Sequence, residues 1–176
     1  QHCVSACIDD VGAWMRSNRL QLNTSKTEVL WGTSPWRQHQ IPHSPLLVSS
    51  DLVTPVEFVR DLGIYLDSNL SMRTHITRTV GSCFAVMRQI RSISRSVSRS
   101  VLQSLIVSLV LSRLDYGCVT LAGLPACSTD RLQSVLNAAA RLLFGSRKYD
   151  HVTPLLRDLH WLRVPERKIG RASCRE

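Results

Sequence analysis

Residues 59–76 read VRDLGIYLDSNLSMRTHI, and the character of the chain changes within them. Up to Asp67 the apolar residues come in short runs, Val56 to Val59 and then Leu62 to Leu66 around Gly63, which is how strands read. A glycine inside such a strand marks a bulge or a close approach of backbone. Past Asp67 the period lengthens to that of a helix, with Ile76, Val80, Cys83, Phe84, Met87 and Ile90 on one stripe.

Downstream the helical period persists. Val101, Leu105, Ile106, Leu109 and Val110 form a second stripe, and Leu132, Val135, Leu136, Ala139, Leu142 and Leu143 a third. Leu155, Leu156, Leu159 and Trp161 suggest a short fourth helix, with loops marked by Leu124-Pro125 and Phe144-Gly145. Upstream the reading is mixed. Residues 4–20 have helical spacing, Leu20 and Leu22 alternate, and Asn23, Thr24 and Ser25 form a turn. Lys26 stands where that turn enters an alternating run of Thr27, Val29 and Trp31. A polar, proline-marked loop follows, then short strands at Leu46 to Val48 and Leu52 to Val53. The class is therefore α+β: a mixed part over 1–66 and a helical bundle over 67–168. The last residues, 169–176, read IGRASCRE and continue no pattern; they back-translate to a common sequencing-library adapter and are set aside as non-native.

The chain has 176 residues and a net charge of +9, which points to a polyanionic partner or a membrane surface. Almost all of the positive charge is arginine, whose planar fork suits phosphate, although G- and C-rich codon usage yields the same bias. The charge is also segregated. Between Asp67 and Asp115 there is no acidic residue, while Arg73, Arg78, Arg88, Arg91, Arg95, Arg99 and Arg113 fall in that window. On a continuous helix Arg88, Arg95 and Arg99 would share one flank beside the apolar stripe. Ordinary solvated faces intersperse both signs, so this reads as a track for a nucleic-acid backbone. The most apolar run, 101–111, is far short of a membrane span. Six cysteines show no zinc-knuckle or C-x-x-C spacing, and read as reduced, mostly buried thiols of an intracellular protein.

Asp9 and Asp10 stand side by side in SACIDDVGAWM, residues 5–15. Adjacent aspartates hold two magnesium ions in nucleotide polymerases, because hard cations need carboxylate oxygens. Such a pair sits on a strand-turn-strand hairpin, whereas these two have helical surroundings. They read as a solvated helix face.

Four stretches, in order, carry a family likeness: WMRSNRLQLNTSKTEVL (14–30), VRDLGIYLDSNLSMRTHI (59–76), LVLSRLDYG (109–117) and LQSVLNAAARLLFGSRKYDHVTPLLRDLHWL (132–162). Together they resemble the C-terminal part of reverse transcriptases from non-LTR (LINE-like) retrotransposons, close to the jockey-like and chicken-repeat-like groups, over about residues 3 to 168. The resemblance implies the end of the palm, the primer-gripping segment and a thumb-like helical domain of an RNA-directed DNA polymerase. The metal-binding aspartates would lie upstream, with the fingers, the rest of the palm and the endonuclease. Mg²⁺ would then serve the complete enzyme, the fragment would bind none, and alone it would be inactive. The implied partners are an RNA template and a DNA primer, together with the missing fingers and palm of the same polypeptide, and no membrane. The setting would be the nucleus or a cytoplasmic ribonucleoprotein.

The family's late palm motif falls on Asn23 to Glu28, which implies that Lys26 protonates the departing pyrophosphate; a turn lysine pairing with Glu28 is the plain alternative. Leu62, Gly63 and Ile64 match the primer-grip hairpin, and Arg73, Arg78, Arg88, Arg91, Arg95 and Arg99 would face the RNA/DNA hybrid. His160 and Trp161 match the family's L-H-W-L-P, with Arg163 where proline is usual. The rival readings are a non-enzymatic basic helical module that binds nucleic acid, and the product of a decayed element with no role.

Overall fold

The computed structural model describes residues 2–49, 51–117 and 124–167; the adapter-like segment 169–176 lies outside them. The fold is α+β. It divides into two compact units, residues 1–71 and 72–176, against an expected boundary at 66/67.

The first unit begins with helix α1, His2–Ser17, which packs on strand β1, Leu46–Val48. Leu46 and Val48 are buried and Leu47 between them is exposed, the alternation of a half-covered strand. β1 pairs antiparallel with β2, Asp51–Val53, setting Leu47 opposite Leu52. A second hairpin joins β3, Phe58–Asp61, to β4, Ile64–Asp67, in the register Asp61 to Ile64 and Phe58 to Asp67.

Two expectations are corrected here. Thr27, Val29 and Trp31 do not form a strand: Thr24–Lys26 is a single 3₁₀ turn, followed by one isolated bridge from Val29 to Pro55. The cause is local. Ser25 Oγ donates to Asn23 Oδ1 at 2.6 Å and Thr27 Oγ1 to the Asn23 carbonyl at 2.9 Å, and such bonds compete with a sheet ladder. Nor is Gly63 inside a strand. Leu62 and Gly63 are the two residues of the β3–β4 turn, with φ of +46° and +85°. Positive φ at both positions is what a two-residue hairpin needs to match strand twist.

The second unit is built on α2, Arg73–Ile93, which packs on α5, Ala126–Phe144. Helix α3, Arg99–Ile106, runs on through a π-helical turn, Val107–Leu111, into the short α4, Ser112–Asp115. Helix α6, Thr153–Asp158, packs back on α5. The core joins Ile76, Cys83, Met87 and Ile90 to Leu132, Val135, Leu136, Ala139 and Leu143, all at three- and four-residue spacing. Each large aliphatic side chain fully buried contributes about 1.5–3 kcal/mol.

The second stripe is shifted from its expected phase. Leu102, Ile106, Val110 and Leu114 are buried, whereas Val101 and Leu109 are exposed. The π-helical turn widens the helix so that residues four apart keep facing the core. Ser108 Oγ donates to the Ser104 carbonyl at 2.8 Å, a back-bond of the kind that bends helices.

The SRLDY stretch also acquires a role. Asp115 accepts from Arg167 Nη1 at 2.6 Å, tying the helical turn after α6 to α4. Arg163 opens that turn, its backbone N–H donating to Glu166 Oε2 at 2.9 Å, half of a capping box. Proline, usual at this place in the family resembled, could not make that bond.

Candidate nucleic-acid interface

Arg73, Arg78, Arg88 and Arg91 are exposed on α2. The helix stops at Ile93, so the continuous flank running from Arg88 through Arg95 to Arg99 does not form. Serines break it. Ser94 Oγ donates to the Arg91 carbonyl at 2.8 Å, the Ser96 N–H donates to the Ile93 carbonyl at 2.9 Å, and Ser98 caps α3 by accepting from the Val101 N–H at 3.4 Å. Arg95 lies in this turn. Arg99 opens α3 with its guanidinium 4.3 Å from the centre of the Phe144 ring, a cation–π contact. Arg113 donates to Ser82 Oγ.

Arg88, Arg91 and Arg95 nevertheless come together on one side of a groove between α2 and α5. Its volume is about 610 Å³. The opposite side carries Arg141 from α5 and Lys148 from the loop beyond it, and Phe84, Met87, Ala138 and Leu142 supply an apolar floor. Among the described residues no carboxylate lines it. Five cations converging on a concave surface raise the local concentration of any polyanion more than the same charges spread on a convex one. Arg141 Nη2 donates to the Asp150 carbonyl at 3.2 Å, but its buried Nε has no acceptor.

The sequence did not single out Arg141 or Lys148. They fall outside the acid-free window, and only the packing of α5 on α2 brings them opposite Arg88 and Arg91. Phe84 was assigned to the buried stripe; it is 36% exposed, because it sits one position past Cys83 and turns toward the groove.

The remaining site candidates belong to the first unit. Lys26 is exposed at the end of its 3₁₀ turn, and among the described residues no carboxylate forms an ion pair with it. Leu62 is 83% exposed at the hairpin tip, Gly63 completes the turn and Ile64 opens β4 half-buried. The hairpin is braced by Phe58 and Tyr65, edge to face with centroids 6.2 Å apart, and by Arg60 over the Tyr65 ring. Asp9 and Asp10 are both exposed on α1.

No family model, curated protein or solved structure matches this chain.

Among the described residues, no group of three or more His, Cys, Asp or Glu side chains is placed to hold a metal ion. Likewise, no described helix is long and apolar enough to cross a membrane. Of the described cysteines, Cys3, Cys7 and Cys127 are exposed and only Cys83 is buried, contrary to the expectation of mostly buried thiols. Cys3 and Cys7 are one helical turn apart on α1, both exposed. Burial pushes the Cys83 thiol up to about 11, the nearby Arg113 guanidinium partly opposing it.

Proposed function

We propose that the chain is the late-palm and thumb part of a non-LTR retrotransposon reverse transcriptase, and that its second unit holds nucleic acid through the groove between α2 and α5. The observation that carries this reading is the set of five cations, Arg88, Arg91, Arg95, Arg141 and Lys148, around one concave surface that no carboxylate of the described residues lines. Such a surface suits a phosphate backbone. In the complete enzyme the carboxylates that hold Mg²⁺ would lie upstream, and the metal would supply charge stabilisation for nucleotide transfer. Lys26 would then act on the leaving pyrophosphate, its exposure leaving it free to reach a triphosphate held by the rest of the palm.

The first unit supports the same reading through its surface. Leu47 and Leu52, a cross-strand pair, are 54% and 71% exposed, and Trp14 and Trp36 stand out at 61% and 88%. In the proposed enzyme the fingers and remaining palm of the same polypeptide would pack against such exposed apolar side chains. The test is to sequence the source locus upstream of Gln1. The expected result is one open frame encoding a Tyr or Phe, any residue, then Asp-Asp, between short alternating strands. A start codon directly before Gln1, or an unrelated exon there, would overturn the polymerase reading in favour of a basic binding module.

A further inference from the structure

We propose that the groove between α2 and α5 seats unpaired nucleic acid, with a base stacked on Phe84 and the flanking phosphates on the arginine and lysine rim. The inference rests on the nucleic-acid reading above and adds which form of nucleic acid the groove takes. Phe84, Arg88 and Arg91 follow one another at four- and three-residue steps, so they form a single ridge along α2, and Arg95 continues that side in the turn beyond. Phe84 stands at the start of this basic ridge with about a third of its ring surface open to the groove. It is well placed as a platform.

The lining fits a ligand that is flat and apolar in one part and anionic in another. Across from Phe84, Ala138 and Leu142 close the floor from α5, while Arg141 and Lys148 carry the rim on that side. A duplex offers such a groove only phosphates and sugars, and would leave the floor facing water. An inorganic polyphosphate would do the same. An unpaired nucleotide fills both parts, and a groove of about 610 Å³ lies within the range of sites that enclose small ligands. Proteins that hold single strands without reading sequence combine these two elements, a basic groove and aromatic stacking faces.

The experiment compares the whole chain binding a labelled oligothymidylate, an oligouridylate of equal length and an RNA/DNA hybrid of that length, followed by fluorescence anisotropy across a salt series. Phe84→Ala should weaken both single strands by about 10-fold, within the cost of losing one base–aromatic stack, leave their salt slope unchanged and alter hybrid binding by less than about twofold. Phe84→Tyr should bind single strands as the parent does. Phe84→Leu, which keeps apolar bulk without a flat face and so controls for folding, should behave like the alanine variant. The inference is overturned if Phe84→Leu matches Phe84→Tyr, or if Phe84→Ala weakens hybrid and single strands alike. Insensitivity of every ligand to replacement of Arg88, Arg91 and Arg95 would instead count against the nucleic-acid reading itself. Arginine dependence with no Phe84 dependence would remove the stacking seat alone.

Discussion

At His160 the backbone is left-handed, with φ of +53°, and it closes α6: the His160 N–H donates to the Arg157 carbonyl at 2.9 Å and the Trp161 N–H to the Leu156 carbonyl at 2.9 Å. This pair of bonds is the Schellman arrangement, in which the left-handed position is usually glycine. The end of α1 repeats it, with Arg19 at φ +57° and the Leu20 N–H donating to the Met15 carbonyl at 2.8 Å. At the end of α5 the left-handed position is a glycine, Gly145. Hence His160 answers to its place in the turn, its exposed imidazole standing outside the packing. Because a Cβ in this conformation costs about 1–2 kcal/mol, partly offset by the extra freedom of glycine in the unfolded chain, His160→Gly should stabilise the fold by about 0.5–1 kcal/mol. The melting temperature should then rise by roughly 1–4 °C, while His160→Ala, which keeps the Cβ, should not raise it. A fall of equal size in both variants would mean that the imidazole itself contributes.

Helix α2 separates its three neighbouring chemistries by single steps in sequence: Cys83 in the core, Phe84 on the groove and Ser82 under Arg113. The consequence for Cys83 can be measured. Its thiol is held protonated by burial, so the folded chain keeps a proton that the unfolded chain gives up once the pH passes the ordinary thiol value of 9.0. Stability from this group is therefore fully present below about pH 9 and is lost as pH rises toward about 11. Cys83→Ala should be less stable overall yet lack that part of the alkaline decline, as denaturant titrations at a series of pH values would show. Mass spectrometry after brief alkylation near neutral pH should find Cys83 modified last among the described cysteines; modification as rapid as at Cys3 would contradict its burial. The same helix shows what could be read from sequence. Apolar spacing revealed α2 and α5 because burial on one face imposes a period. It misassigned Phe84, one residue from the stripe edge, and missed the stop at Ile93, since serine hydroxyls bonding to backbone leave no periodic trace. Arg141 and Lys148 were invisible as groove residues because their role comes from tertiary packing.

For the molecule as a whole, the basic groove should hold nucleic acid through its phosphates, and not by net charge alone. The direct measurement is the salt dependence of RNA/DNA hybrid binding by the purified chain, in the parent and in two triple variants. If four or five phosphates are engaged, the slope of log affinity against log salt should lie at about −3.5 to −4.5, each neutralised phosphate releasing somewhat less than one counterion. Replacing Arg88, Arg91 and Arg95 with glutamine should flatten that slope by about 2 to 3, with the fold intact because these heads are exposed and exposed charges add little to stability. Replacing Arg16, Arg19 and Arg37, all exposed in the first unit, removes the same charge and should change the slope much less. Equal flattening in the two variants, or no change on replacing the groove arginines, would contradict the account.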